Sequence, residues 1–131
     1  MKSAKASKVL SLTAVADALT KAPPVPGYLS DFAKAEWRRV MPDLIAKRIL
    51  TKGDLGGVEE YCIMRGVIRE IEAERKSSGG AIDPRLFGIQ NRAAATARQL
   101  ASEFGLTPTS RQRMGVAGDD DADTDNPLLI K

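Results

Sequence analysis

The sequence contains no histidine and a single cysteine, Cys62. Those scarcities exclude a disulfide framework, the usual zinc sites and every histidine-based triad. No apolar run approaches the roughly 20 residues needed to span a bilayer. Lys2, Lys5 and Lys8 precede VLSLTAVADAL in the manner of a signal peptide, but Ser, Thr and Asp17 interrupt that stretch. A soluble intracellular protein is therefore expected. A glycine-rich phosphate loop is also missing, because Gly56-Gly57 lacks a following Gly-Lys-Ser/Thr. The Asp run at 119–125 has no Gly and Glu at calcium-loop positions. Glu59-Glu60 and the Glu70, Glu72, Glu74 group read as solvated helix faces. No catalytic residue, metal or cofactor is expected, and the chain reads as non-catalytic.

What is present is a long helix signal from Leu55 to Ser78. At 100° per residue, Leu55, Val58, Tyr61, Cys62, Met64, Ile68 and Ile71 sweep more than half the circumference. A helix apolar over so much of its girth must be covered on more than one side, by two helices of its own chain or by a second chain. Its second half turns polar from Arg69 onwards and is expected in solvent. Cys62 lies within the apolar pattern and reads as a small buried hydrophobe.

Other elements are arranged around this spine. Val9 to Leu19 can form a short helix, and the prolines of APPVPG, residues 22–27, make a semi-rigid linker. Ser30 is placed as an N-cap. Trp37, Val40, Met41 and Leu44 then share about 100° of arc, with Trp37 as a core anchor. Pro42 predicts a kink or break in that helix. Thr51 to Asp54 resembles a capping box opening the central helix. Gly56, Gly57 and Gly66 weaken that helix, and close approach of another backbone is their expected role.

Gly79 is placed as the left-handed C′ residue, and Asp83-Pro84 as N-cap and N1 of the next helix. Leu86, Ile89, Ala93, Ala97, Leu100 and Phe104 form its stripe. Gly105 ends it, and Thr107-Pro108 starts a short basic helix. The expected fold is all-α, three main helices plus a short C-terminal one. Residues 1–28 form a flexible basic arm and linker, 29–113 a helical core, and 114–131 a disordered acidic tail with an apolar tip.

Charge divides along the same lines. From Met114 on there are five Asp and one Lys, net −4, so the rest nets +7 against a total of +3. A basic body points to a polyanion partner. Lysines and arginines on a helical scaffold neutralise phosphates without reading sequence. The candidate DNA-binding residues are Lys34, Arg38, Arg39, Lys47, Arg48 and Lys52, with Arg111 and Arg113 as a second cluster. The apolar tip Pro127, Leu128, Leu129 and Ile130 is a candidate docking peptide for another protein.

Taken together, VPGYLSDFAKAEWRRVMPDLIAKRILTKGDLGGVEEYC resembles the opening of the small terminase subunit of tailed bacteriophages. The resemblance rests on Leu29, Ser30, Ala33 or Ala35, Glu36, Trp37, Pro42, Leu44, Leu50, Thr51, Asp54, Tyr61 and Cys62. A closing Phe-Gly-Leu-Thr-Pro-x-Ser-Arg motif, Phe104 to Arg111, belongs to the same pattern. The match covers roughly residues 23–113; the N-terminal arm and the acidic tail depart from it.

The resemblance implies a subunit that binds double-stranded viral DNA at the packaging start site, in the host bacterial cytoplasm. It implies recruitment and regulation of the large subunit, which holds the ATPase and nuclease. It also implies a closed homo-oligomeric ring of about eight to ten chains. A small dimeric helical transcription regulator, with its first two helices on an operator, is the alternative, and a scaffold without nucleic acid a third.

Overall fold

The computed structural model describes residues 16–115, and all regular structure among them is helical. Helix α1 spans Asp31–Ala46, α2 Leu55–Ser77, α3 Pro84–Glu103 and α4 Pro108–Gly115. A 3-10 turn, Lys52–Asp54, lies between α1 and α2. Three main helices and a short C-terminal one agree with the expected fold class. The wide apolar girth of α2 is explained within one chain, because α1 and α3 both pack against it.

Local chemistry sets the ends of these elements. The Ser30 side chain accepts from Ala33 N at 3.3 Å, which caps α1. Asp83 Oδ1 accepts from Arg85 N and Leu86 N ahead of Pro84, which caps α3. Thr51 N donates to Asp54 Oδ2 at 2.8 Å, so the expected box forms, but it opens the 3-10 turn rather than α2 itself. Both Gly79 and Gly80 have positive φ, and Gly80 N reaches back to Arg75 O at 2.8 Å. Gly105 repeats this at the end of α3, with Leu106 N donating to Ala101 O at 2.8 Å. These are Schellman closures, in which a left-handed residue lets the chain satisfy the last carbonyls.

The core lies at one end of the bundle. Leu29, Trp37, Val40, Met41 and Leu44 meet Leu50, Val58, Tyr61 and Cys62 there, and α3 adds Ala97, Ala101 and Phe104. Buried residues of α2 stop at Gly66, and those of α3 begin at Ala93. Beyond those two positions the α2–α3 hairpin continues as an arm. Glu72 Oε2 accepts from Gln90 Nε2 at 2.7 Å across it.

Several expectations change. Pro42 neither breaks nor ends α1, which runs through it for another turn. Proline removes one backbone bond, to the Arg38 carbonyl. Four core side chains spaced along α1, Trp37, Val40, Met41 and Leu44, hold both sides of that gap. The glycines of α2 also divide. A Cβ on Gly66 would meet Ala33 N at 3.1 Å, so this is the close backbone approach. At Gly57 the neighbour is the Phe104 ring, and at Gly56 nothing lies within 4 Å.

Of the proposed Val9–Leu19 helix, residues 9–15 fall outside the described residues. Its end, residues 16–19, is a turn followed by irregular chain. The linker lies against the core, with Leu19 N donating to Leu50 O at 2.7 Å and Val25 packing alongside.

Candidate nucleic-acid interface

With its apolar stripe turned inward, α1 leaves Ala35, Arg38, Arg39 and Pro42 on its outer face. Lys34 stands one turn before Arg38 and is half-buried. Arg39 is the exception among these cations, because it is already engaged. Its Nε donates to Glu36 Oε1 at 3.0 Å, and its Nη2 donates to Oε2. The second carboxylate oxygen also accepts from Tyr61 Oη at 2.6 Å. Glu36 itself is only 2% exposed.

This network sets the local electrostatics. Burial pushes the Glu36 carboxyl up, but the donations from Arg39 and Tyr61 and the charges of Arg39 and Arg65 outweigh it. The net result is a carboxyl held below its usual value. Burial, reinforced by the same carboxylate, raises the Tyr61 phenol to about 12. Burial first, and Glu36 second, push the Cys62 thiol up to about 12. Cys62 is fully buried, as the apolar pattern indicates, and stays a thiol. The Arg65 Nε is buried next to this group without a partner among the described residues.

The remaining cations collect at the end of the bundle where α1 and α3 finish. Lys47 Nζ pairs with Asp43 Oδ2 at 2.9 Å and donates to Gly105 O at 3.4 Å. That contact joins the end of α1 to the α3–α4 turn. Arg48 follows with φ 57°, the C′ position of α1 that glycine usually takes. Lys52 is exposed on the 3-10 turn.

Across the Lys47 contact, Thr107 and Ser110 cap α4 reciprocally. Ser110 N donates to Thr107 Oγ1, and Thr107 N donates to Ser110 Oγ, both at 3.1 Å. Arg111 Nη1 donates to Leu106 O at 3.2 Å, and Arg113 Nη2 to Ser102 Oγ at 3.2 Å.

The structure therefore brings Lys47, Arg48 and Lys52 to the end of the bundle that also carries Arg111 and Arg113. Lys34, Arg38 and Arg39 stay further up α1. Among the described residues, Lys34, Arg38, Arg48 and Lys52 pair with no carboxylate. The tip residues Pro127, Leu128, Leu129 and Ile130 lie outside the described residues.

Sequence reasoning misses the Glu36–Tyr61–Arg65 group. Its signal is Glu36 at the edge of the Trp37–Val40 arc, where a carboxylate needs a buried partner. Among the described residues no group of three His, Cys, Asp or Glu side chains is arranged to hold a metal, and no helix is long and apolar enough to cross a membrane.

Comparison with known proteins adds one finding. A family model described as "Phage terminase, small subunit" matches residues 33–121, from the first turn of α1 to beyond α4. No curated protein and no solved structure matches the chain.

Proposed function

This chain belongs to the phage terminase small subunit family, whose model spans well over half of it, and on that footing we propose a role in viral genome packaging. In this reading the subunit is non-catalytic and acts in the host cytoplasm. It binds double-stranded viral DNA at the packaging initiation site. It recruits and regulates the large subunit, which supplies the ATPase and nuclease. It works as a homo-oligomeric ring. The family match is the observation that carries the reading, and it favours packaging over an operator-binding dimer.

The DNA contact is assigned to the outer face of α1 and the adjoining end of the bundle. Arg38, Arg48 and Lys52 are exposed there with no carboxylate partner among the described residues, so their charge is available to phosphate. Arg39 and Lys47 are partly neutralised, by Glu36 and Asp43, and rank behind them. The test is DNA affinity across a salt series. Replacing Arg38, Arg48 and Lys52 together with alanine should weaken binding at low salt. It should also flatten the plot of log K against log salt by about one for each phosphate no longer neutralised. An unchanged slope rejects this face.

The apolar tip, residues 126–131, is assigned to docking of the large subunit. Its deletion should abolish stimulation of the large subunit while leaving assembly intact, and unchanged stimulation rejects the assignment.

A further inference from the structure

The hairpin arm carries two apolar grooves. The first, of about 480 Å³, is floored by Ile71, Ile82, Leu86 and Phe87. Ile82 is 64% and Phe87 56% exposed, far more than a side chain at rest in a core. The second, of about 610 Å³, lies between Phe32 at the start of α1 and the Ala73–Gly80 stretch of the arm. Phe32 is 38% exposed.

Their rims differ in sign. Glu72 and Arg75, paired at 3.2 Å, border both grooves and cancel. What remains is Glu74 and Asp83 on the first groove, and Arg69 and Lys76 on the second. At 100° per residue, Ile71 and Glu74 fall on the opposite side of α2 from Arg69 and Lys76.

We infer that these grooves are the two halves of one head-to-tail contact between copies of this chain. Phe32 of one copy, flanked by Arg69 and Lys76, meets the Ile71–Ile82–Leu86–Phe87 groove of the next, flanked by Glu74 and Asp83. Either groove facing its own copy would set like charges against each other, so the contact joins unlike grooves. Repeated around a rotation axis, that pairing of two different patches is a heterologous contact, the kind that closes into a ring when the rotation permits; made reciprocally about a two-fold axis, it stops at a dimer. The arm's exposed apolar surface is covered in this way without any third helix. This inference rests on the reading that the chain assembles with itself, and it specifies which surfaces meet.

Cross-linking tests it on the full-length chain. Glu74 and Lys76 are exposed and lie on opposite grooves, and the only native cysteine is fully buried. Glu74→Cys and Lys76→Cys chains are treated with a short bismaleimide, separately and mixed, and the mass is followed by light scattering. The mixture should give covalent dimers, with neither variant cross-linking to itself. A chain carrying both substitutions should give a ladder. Phe87→Ser, at a side chain that adds little to the folded core, should lower the assembled mass without lowering helix content.

Self-cross-linking of either single variant, or a doubly substituted chain that stops at covalent dimers instead of giving a ladder, overturns the head-to-tail arrangement. A multimeric mass with no cross-link in the mixture overturns the pairing but leaves self-assembly standing. A monomeric mass for the unaltered chain ends both. Cross-linking should also persist in a chain cut after Asp125; its loss there would make the C-terminal tip the occupant and overturn the copy-to-copy contact.

Discussion

Glu36 shows how one residue can tie a helix surface to a helix interior. A carboxylate at 2% exposure costs several kcal/mol unless it is paired, and here three donations from Arg39 and Tyr61 supply the pairing. Glu36→Gln keeps the shape but loses the charge, and should cost about 2 kcal/mol at neutral pH, read from denaturant unfolding. The pH dependence gives the sharper check. The folded carboxyl lies below its ordinary 4.5, so its stabilisation is complete above that value. It is lost as the pH falls through the folded value. Wild type and Glu36→Gln should therefore converge in stability on acidification below 4.5 and stay apart above it.

Arg48 poses the opposite problem. Its φ of 57° carries a left-handed cost of about 1–2 kcal/mol that glycine avoids. Part of that gain is offset by the greater freedom of glycine in the unfolded chain. Arg48→Gly should thus stabilise the protein by about 0.5–1 kcal/mol while weakening DNA binding. Arg48→Ala should weaken DNA binding without the stability gain. Thermal melts and salt-series binding on the two variants separate strain from charge.

Among the elements, the termini are the most legible part of the sequence. Ser30, Asp83-Pro84, Thr107-Pro108, Gly79 and Gly105 each announce a boundary through a local bond that depends on few neighbours. Pro42 misleads because its effect is decided by packing on either side rather than by its own ring. The α2 glycines are legible only as a class, since what each one faces depends on α1 and α3. That difference predicts opposite signs for one substitution. Gly56→Ala meets open space and should stabilise by up to about 1 kcal/mol through helix propensity. Gly66→Ala would push the new methyl to within 3.1 Å of the α1 backbone at Ala33. It should destabilise by about 1–3 kcal/mol despite the same propensity gain. Chemical unfolding of the two variants gives the comparison directly. The basic candidates are legible as charges, and two of their contacts are legible as well. Glu36 stands three residues before Arg39 and Asp43 four before Lys47 on one helix, the spacings at which acid and base side chains meet.

At the scale of the whole molecule, α1 connects two ends with different chemistry. Phe32, at its start, borders the arm with its apolar grooves, and Lys47, at its finish, touches the turn that leads into the basic α4. On the proposed assignments, assembly and DNA contact use separate regions of one small bundle, so variants at one should spare the other. The acidic C-terminal segment bears on the DNA end through charge alone. Removing residues 116–131 takes the formal charge from +3 to +7. If the five tethered aspartates reach the basic end, they compete with phosphate for the same lysines and arginines, and mutual attraction of this kind is screened over about 8 Å at physiological salt. The truncated chain should therefore bind DNA more tightly than the full chain at low salt, with the two affinities drawing together as salt rises. Fluorescence anisotropy with a labelled duplex at several salt concentrations measures both. Equal affinity at low salt would mean that the aspartates do not reach the basic end. Weaker binding by the truncated chain would mean that the segment supports DNA binding instead of opposing it.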